Sequence, residues 1–277
     1  GGFVATWQSY NQDGSSQGIY GQRYDGAGAA VGAEFQVNTY TSSTQESPSI
    51  TALNDGGFVV IWESNGQDGS HDGIYGQRYG STGATVGAEF QVNTYTTYSQ
   101  YDPSITGLND GGFVATWSSY PQDGDNEGIY GQRYDSTGAT VGAEFQVNTY
   151  TTQSQYRPSI TALNDGGFAV IWESNGQDGD GAGIYGQCYG SSGAKVGSEF
   201  QVNTETSGSQ ELPSITALND GGFVAAWESP DGSNGGIYGQ RYDSSSAKIG
   251  GEFRFNTHTN AHQANPSVTA LDDGGFV

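Results

Sequence analysis

Residues 48–79 read PSITALNDGGFVVIWESNGQDGSHDGIYGQRY, and closely similar stretches return along the whole chain. Successive tryptophans lie 55 residues apart, which marks five repeat units. A phenylalanine and a proline recur with the same step, and the fifth unit is two residues shorter than the others. A tandem repeat of this length indicates an architecture in which one supersecondary unit is used several times.

Each unit contains four short runs with strand character, bounded by turn residues. In the unit quoted above, the predicted strands are residues 49–53, 58–62, 74–79 and 89–94. The first two are joined by Asn54-Asp55-Gly56-Gly57, a strong signal for a tight hairpin. The second run is apolar throughout, as in a strand covered on both faces, and the fourth alternates like a half-exposed outer strand. No stretch shows a helical apolar period, so we expect no helix.

Four antiparallel strands in a repeat of this size are typical of a β-propeller blade. We therefore predict an all-β, five-bladed β-propeller of four-stranded antiparallel blades, formed by residues 1–277 as a single repeat domain. The chain starts inside a unit, so one blade is expected to be shared by the two termini. The predicted blades are about 48–102, 103–157, 158–212, 213–265, and 266–277 joined with 1–47. Gly-Gly-Phe-Val stands at both ends and would be redundant in a closed ring. The alternatives are therefore an open array or a chain cut from a longer protein.

The charge balance narrows the classes of partner. The chain has 8 Lys and Arg against 30 Asp and Glu, a formal net charge of −22. This excludes nucleic acid as a partner, because a phosphate backbone needs a basic face. No apolar run is long enough to span a membrane, so membrane insertion is not expected. Cys188 is the single cysteine, so no disulfide forms within the chain.

The quoted stretch, together with GAEFQVNT at residues 87–94, resembles the repeats of very large secreted bacterial proteins. Proteins of that kind carry RTX-type glycine-aspartate repeats and leave the cell by type I secretion. The resemblance implies an extracellular or cell-surface module of adhesin-like character, without known catalytic residues. The RTX nonapeptide itself is absent here, so its calcium sites do not transfer. In outline the repeat is also similar to five-bladed lectins of the tachylectin type.

The loop between the second and third strands of each unit is a candidate metal site. Oxygen ligands at alternate positions, closed by a glycine, resemble the first half of a calcium loop. The sequence therefore predicts possible Ca²⁺ binding, and the alternative is an acidic hairpin tip in which Asp and Gly make the turn. The candidate ligands are Asp13, Asp68, Ser70, Asp72, Asp123, Asp125, Glu127, Asp178, Asp180 and Asp231.

The repeated tryptophans end the second strand near that loop, and they are the candidate ligand-binding residues. Flat aromatic faces suit the apolar faces of sugars, so five equivalent sites could bind glycans. The alternative is that each ring packs between blades, with its indole N–H bonded to a loop carbonyl. These residues are Trp7, Trp62, Trp117, Trp172 and Trp227.

An arginine recurs in the third strand and is expected to stack on tyrosine or to pair with a neighbouring glutamate. The copies are Arg23, Arg78, Arg133 and Arg241, with Cys188 in the fourth unit, and the candidate partners are Glu34, Glu89 and Glu144. Catalytic signals are weak, because His71, His258 and His262 do not recur and no known catalytic motif is present. Carboxylates are plentiful enough for a glycosidase pair. Near-identical repeats argue against one, because an active site usually breaks the symmetry of its scaffold.

These observations lead to three hypotheses. The first is a non-catalytic structural or adhesive repeat module of a secreted or surface bacterial protein, stiffened by calcium. The alternative is a multivalent, lectin-like propeller, in which several weak sites give avidity for glycans. The further alternative is a subunit of an extracellular filament, in which copies of the chain join through exposed blade edges. On this reasoning the protein is predicted not to be an enzyme.

Overall fold

The computed structural model describes residues 1–230 and 235–277 and contains nineteen strands in that part of the chain. No helix occurs among these residues, which confirms the all-β prediction. The strands are β1 (Phe3–Tyr10), β2 (Gln17–Tyr24), β3 (Ala30–Gln36), β4 (Gln45–Ala52), β5 (Phe58–Asn65), β6 (Asp72–Tyr79), β7 (Thr85–Gln91), β8 (Gln100–Gly107), β9 (Phe113–Ser119), β10 (Gly128–Tyr134), β11 (Thr140–Gln146), β12 (Gln155–Ala162), β13 (Phe168–Asn175), β14 (Ala182–Tyr189), β15 (Lys195–Gln201), β16 (Glu211–Ala217), β17 (Phe223–Ser229), β18 (Gly236–Tyr242) and β19 (Lys248–Arg254).

The strands form five sheets in which sequence neighbours pair. Four sheets have four strands each, in the orders β4-β5-β6-β7, β8-β9-β10-β11, β12-β13-β14-β15 and β16-β17-β18-β19. The remaining sheet has three strands, β1-β2-β3. By its internal contacts the chain divides into two compact units: residues 1–120 with 131–144, and residues 121–130 with 145–277. The prediction of a single domain stays a prediction.

The strand boundaries differ from the expectation in a regular way. In the quoted unit the first strand begins at Gln45 rather than at residue 49, because its first two residues pair across a bulge. The second strand extends to Asn65, so the loop that follows is shorter than expected. The fourth strand runs from Thr85 to Gln91, four residues earlier than predicted, and its first four residues are exposed.

The second strand of the repeat carries the core in β5, β9, β13 and β17, whereas its counterpart β1 is exposed or half-buried. In β5, Phe58 to Ser64 are all buried, as expected for a strand covered on both faces. Tyr79 of the third strand stacks on Phe58 with ring centroids 4.6 Å apart. Burial of each large apolar side chain contributes about 1.5–3 kcal/mol, so this repeated strand provides much of the stability of both units.

A buried asparagine explains the recurring motif Gln-Val-Asn-Thr. Asn93 Oδ1 accepts the hydrogen of Ile74 N at 2.7 Å, and its Nδ2 donates to Gln100 Oε1 at 2.9 Å. This side chain therefore links the third strand of one repeat to the first strand of the next repeat. The equivalent residues Asn38, Asn148, Asn203 and Asn256 make the same pair of bonds.

The glutamate that recurs in the fourth strand accepts hydrogen bonds from a threonine of the preceding repeat. Glu89 Oε2 accepts hydrogens from both the main-chain nitrogen and the hydroxyl of Thr39, at 2.6 and 3.0 Å. Glu144, Glu199 and Glu252 bind Thr94, Thr149 and Thr204 in the same way. Glu89 and Glu144, which were expected to pair with the recurring arginines, thus bind threonines of the preceding repeat.

Three of the four arginines bind the tight hairpin, whereas Arg23 donates to the main-chain oxygens of Ser81 and Thr82. Arg78 Nη2 lies 2.8 Å from Asp55 Oδ2, and Arg133 Nη2 lies 2.6 Å from Asp110 Oδ2. Arg241 pairs with Asp220 in the same manner. Their role is to fix the turn between the first and second strands.

The last residues of the chain differ from the expectation of a blade shared by both termini. Among residues 1–230 and 235–277, the sheet of β1, β2 and β3 has three strands and none from the end of the chain. Residues 268–277 instead turn back on themselves, with an isolated bridge between Ala270 and Phe276. Val268 packs with Leu218, which directly follows β16, and with Val224 and Ala226 of β17. Apolar packing within the second unit thus holds this segment.

Candidate functional site

A glutamate sits next to the repeated tryptophan in the second strand, and in the first compact unit it is Glu63. Its side chain is only 8% exposed. It lies directly opposite Glu46 of β4 in the strand register. Two carboxylates facing each other across a strand pair repel, so this position favours a proton on one of them.

Glu63 also contacts the next sheet. Its Oε1 accepts a hydrogen bond from Asp102 N at 2.8 Å. The pKa of Glu63 is raised to about 8, chiefly by burial and in smaller part by the carboxylates of Asp102 and Glu46, while hydrogen bonds from Asp102 N and Ser47 oppose the rise. At neutral pH Glu63 is therefore a protonated carboxylic acid that can donate a hydrogen.

The second compact unit contains the equivalent residue, Glu173, in a different setting. Its side chain is 0% exposed and lies opposite Tyr156 of β12. Its Oε1 accepts the hydrogen of Leu212 N at 2.7 Å and lies 3.2 Å from Arg157 Nη1. Burial raises the pKa of Glu173 to about 6, while Leu212 N and Arg157 oppose the rise. Glu173 is therefore mostly ionised at neutral pH.

The residue that approaches each of these glutamates has an unusual backbone. Asp102 and Leu212 have φ values of +52° and +56°, and each is followed by a proline. A residue before proline normally avoids helical regions, and a side chain in the left-handed region is strained. The bulge at the start of the first strand imposes this geometry, and the N–H bond to the buried carboxylate helps to hold it.

The repeats differ from one another at this position and at the residue after the tryptophan. The residues before the prolines are Ser47, Asp102, Arg157, Leu212 and Asn265. The residues after the tryptophans are Gln8, Glu63, Ser118, Glu173 and Glu228. Sequence reasoning missed Glu63 and Glu173, although an ionisable residue beside a doubly covered apolar strand and this change of residue type were both visible.

The aspartates predicted to begin a calcium loop make turns. Asp68 Oδ1 accepts the hydrogen of Ser70 N at 3.0 Å, and Asp13 binds Ser15 N at the same distance. Asp123 and Asp178 bind the main-chain nitrogens of Asp125 and Asp180 at 3.3 Å. Each of these four Asp-Gly loops is therefore closed by an Asx-turn bond.

The other predicted ligands bind neighbouring loops. Asp72 Oδ1 accepts from Asn65 Nδ2 at 2.8 Å, and its Oδ2 accepts from Ser99 Oγ at 3.1 Å. Asp125 Oδ2 and Asp180 Oδ2 accept the main-chain hydrogens of Gln153 and Gly208, at 2.9 and 3.1 Å. These bonds link each loop to the loop that precedes the next first strand.

Glu127 and Asp231 are the two remaining predicted metal ligands. The main-chain oxygen of Glu127 accepts the hydrogen of Gln155 N at 2.8 Å. Asp231 lies outside the described residues. Within residues 1–230 and 235–277, no three His, Cys, Asp or Glu side chains converge in a way that would hold a metal ion. Calcium binding stays a prediction.

The tryptophans are not placed to bind a sugar. Trp62, Trp117, Trp172 and Trp227 are 0% exposed. They belong to the core, as the packing alternative predicted, but their Nε1 hydrogens have no bonded partner among the described protein atoms. Only Trp7 is partly exposed. The assignment of the four buried rings as ligand-binding residues is therefore wrong, because a ligand cannot reach them without opening the sheets.

A groove of about 520 Å³ lies in the first unit beside the open edge of β1. It is lined by Phe3, Val4, Arg23, Tyr24 and Phe58, among others. None of its twelve lining residues is an Asp or a Glu. The groove is therefore separate from the carboxylates described above.

No family model and no curated protein matches this sequence. Solved structures do match its fold. An α-L-arabinanase from Penicillium chrysogenum, complexed with arabinobiose, is 16% identical with a TM-score of 0.61, over 99% of this chain and 83% of that one. An α-L-arabinofuranosidase from Lactobacillus brevis is 12% identical with a TM-score of 0.52, over 92% of both chains. The NanB sialidase from Streptococcus pneumoniae is 9% identical with a TM-score of 0.59, over 99% of this chain and 62% of that one.

These likenesses confirm the predicted fold class, the β-propeller. They also contradict the prediction of a non-catalytic structural or adhesive module that is not an enzyme, since the similar structures are glycoside hydrolases. The filament hypothesis is abandoned with it. In the described part of the chain, no helix is long and apolar enough to cross a membrane.

Proposed function

We propose that this protein is a carbohydrate-active β-propeller that hydrolyses a neutral saccharide. A shared fold does not by itself assign an activity, because one fold supports many functions. The observation that carries the proposal is the buried, protonated Glu63 beside the carboxylates of Asp102 and Glu46.

Glycoside hydrolysis needs two carboxyl groups in different protonation states. One donates a proton to the oxygen of the leaving sugar, and the other acts as an anion at the anomeric carbon or on the attacking water. Glu63 has the raised pKa that the acid needs. Asp102 is only partly buried, and its main chain is bonded to Glu63, so we assign it as the anionic partner.

The charge of the surroundings favours an uncharged substrate. Glu46, Glu63 and Asp102 bring three carboxyl groups to one end of β4, β5 and β8. An acidic sugar would be repelled there, whereas a neutral pentose or hexose chain would not. The similar arabinanase was solved with arabinobiose, so arabinan is the first substrate to test.

The test is hydrolysis by the purified chain of arabinan, arabinoxylan and β-glucan, with 3′-sialyllactose as an acidic comparison. We expect release of reducing sugar from a neutral substrate, with activity falling as the pH rises through about 8, where Glu63 loses its proton. Glu63→Gln and Asp102→Asn should each lower kcat by about 10²–10⁴-fold.

The matched control is Glu228→Gln, at the same repeat position but paired with His262 in the second unit. It should retain activity. The absence of hydrolysis of every neutral substrate by the wild-type chain would overturn the proposal, and so would equal loss in Glu228→Gln and Glu63→Gln.

Glycans are the partner class that this proposal implies. An extracellular or cell-surface location in a bacterium follows from the repeat resemblance and fits an enzyme that acts on polysaccharide. Its test is fractionation of the source cells with an antibody to the chain. Recovery only with the cytoplasm would contradict that location without affecting the hydrolytic proposal.

A further inference from the structure

An exposed aromatic cluster lies in the first compact unit, formed by His71, Tyr98 and Tyr120. The rings of His71 and Tyr98 are within 3° of parallel, with centroids 6.1 Å apart. Tyr120 meets Tyr98 edge-on, at an interplanar angle of 79° and a centroid distance of 5.8 Å. Tyr98 is 49% exposed and Tyr120 is 37% exposed. Each of the three rings therefore keeps part of its surface in solvent, although the three do not share one plane.

The cluster occurs at one place in the chain. The residues equivalent to His71 are Ser16, Asn126, Gly181 and Asn234; those equivalent to Tyr98 are Ser43, Gln153, Gly208 and Ala261; those equivalent to Tyr120 are Tyr10, Asn65, Asn175 and Pro230. No other repeat has an aromatic residue at more than one of the three positions. The surface is thus a departure from the repeat and not a requirement of it.

The backbone at Tyr98 points to the same conclusion. Its φ is +60°, a conformation that a large side chain adopts at a cost in free energy. The equivalent residues Ser43, Gln153 and Gly208 also have positive φ, so the loop requires the conformation at every copy. Ser70 Oγ accepts the hydrogen of Tyr98 N at 3.0 Å and holds the loop. A glycine or a small polar residue would satisfy this loop, whereas the half-exposed tyrosine ring adds little core packing.

The surroundings of the cluster are polar and acidic. Asp72 follows His71, and its carboxylate accepts a hydrogen from Ser99, which follows Tyr98. Tyr98 precedes β8 by two residues, and Asp102 is the third residue of that strand. The aromatic cluster and the candidate catalytic carboxyls therefore lie at the same end of the sheet.

We infer that His71, Tyr98 and Tyr120 form a stacking subsite for one ring of a neutral saccharide. The C–H groups on one face of a sugar ring pack against a flat aromatic ring, and the hydroxyls at its rim reach groups such as Asp72 and Ser99. The inference deepens the proposed function and rests on it for the class of ligand. The subsite would bind a sugar unit beyond the bond that is cleaved.

Other repeats supply substitutions that suit the fold. Tyr98→Gly introduces the glycine that the fourth repeat has at the equivalent position, Gly208. Tyr120→Asn introduces the asparagine found at the equivalent positions Asn65 and Asn175. Gln153→Gly is the matched control, because it makes the same backbone change where no aromatic ring is lost. All three should keep the melting temperature of the parent chain or raise it.

The experiment measures, by calorimetry, the binding of the series from arabinotriose to arabinohexaose to the Glu63→Gln variant, in which hydrolysis is slowed. Tyr98→Gly should weaken the binding of the longer oligosaccharides by about tenfold, with little effect on the shortest. Gln153→Gly should change nothing. In the active chain, Tyr98→Gly should raise KM for arabinan, whereas Gln153→Gly should not. Cello-oligosaccharides serve as a second neutral series and 3′-sialyllactose as the acidic one.

The outcomes separate the two proposals. Equal affinity of the Tyr98→Gly and parent chains for both neutral series would overturn the subsite, while wild-type hydrolysis would leave the proposed function standing. Binding that depends on Tyr98 in a chain without hydrolytic activity would support the subsite and refute the hydrolase. Preference for 3′-sialyllactose over the neutral series would overturn the subsite as stated.

Discussion

The main-chain nitrogen of Asp102 lies 2.8 Å from Glu63 Oε1, which joins the first strand of one sheet to the second strand of its neighbour. The bond spans 39 residues of sequence. It holds Asp102 in a left-handed conformation before a proline, next to a carboxyl that burial keeps protonated. One contact thus combines backbone strain and a displaced pKa, a combination that is concentrated at functional sites.

Glu63 should make stability fall as the pH rises. Its pKa is raised from 4.5 to about 8, so between these values the folded chain keeps a proton that the unfolded chain releases. The free energy of unfolding then decreases by roughly 1.4 kcal/mol for each pH unit inside the window. Glu63→Gln should remove this dependence, as measured by urea denaturation from pH 5 to pH 8.

Glu173→Gln is the comparison for that measurement. The pKa of Glu173 is about 6, so its effect on stability should end near pH 6 and not near pH 8. Identical pH profiles for the wild-type chain and Glu63→Gln would show that Glu63 does not hold its proton in the folded state.

Most of the fold could be predicted from the repeat in the sequence. Tryptophans 55 residues apart, next to apolar runs and an Asn-Asp-Gly-Gly turn, were enough for five sheets with sequential strand order. The start of the first strand was harder to predict from the sequence, because Gln45 and Glu46 pair only across a bulge before Pro48. Local propensity disfavours a strand there, and the bulge is held by a residue of the preceding sheet.

The site was largely invisible for the same reason. The role of Glu63 depends on Asp102 and Glu46, and only the pairing register brings these three together. The Asp-Gly loops suggested metal ligands from spacing alone. Their oxygens proved to be bonded to amides of the same and adjoining loops, such as Ser70 N and Gln153 N. Spacing identifies donors but does not say which protein groups already use them.

Arg157 should hold down the pKa of Glu173. Its Nη1 lies 3.2 Å from Glu173 Oε1, and an adjacent cation favours the ionised form. Arg157→Gln should raise the pKa of Glu173 above about 6 and extend the loss of stability to higher pH. The ¹³C chemical shift of the Glu173 carboxyl, followed by NMR, reports this directly. Arg157→Lys keeps the charge and should move the pKa less, whereas no shift in Arg157→Gln would contradict the assignment.

The buried tryptophans should contribute to stability and not to ligand binding. Trp172 is fully buried, and Trp172→Ala should cost about 3–5 kcal/mol by removing a large core side chain. Trp7 is partly exposed, so Trp7→Ala should cost clearly less. Urea denaturation measures both. In the wild-type chain, addition of an oligosaccharide should leave the emission of the four buried rings unchanged, and quenching that persists in Trp7→Ala would contradict this.

The Asp-Gly loops should stabilise the fold through their own hydrogen bonds. Asp125 Oδ2 accepts the hydrogen of Gln153 N at 2.9 Å, so Asp125→Ala should cost about 1 kcal/mol, and Asp125→Asn, which keeps an acceptor oxygen, should cost less. These oxygens already have protein donors, so an equal melting temperature in EDTA and in millimolar calcium would contradict the calcium prediction. A rise of several degrees with calcium and none with magnesium would instead assign the loops as metal sites, since a ligand of the folded state stabilises it by mass action. Loss of that rise in Asp125→Asn would then locate the ion at this loop.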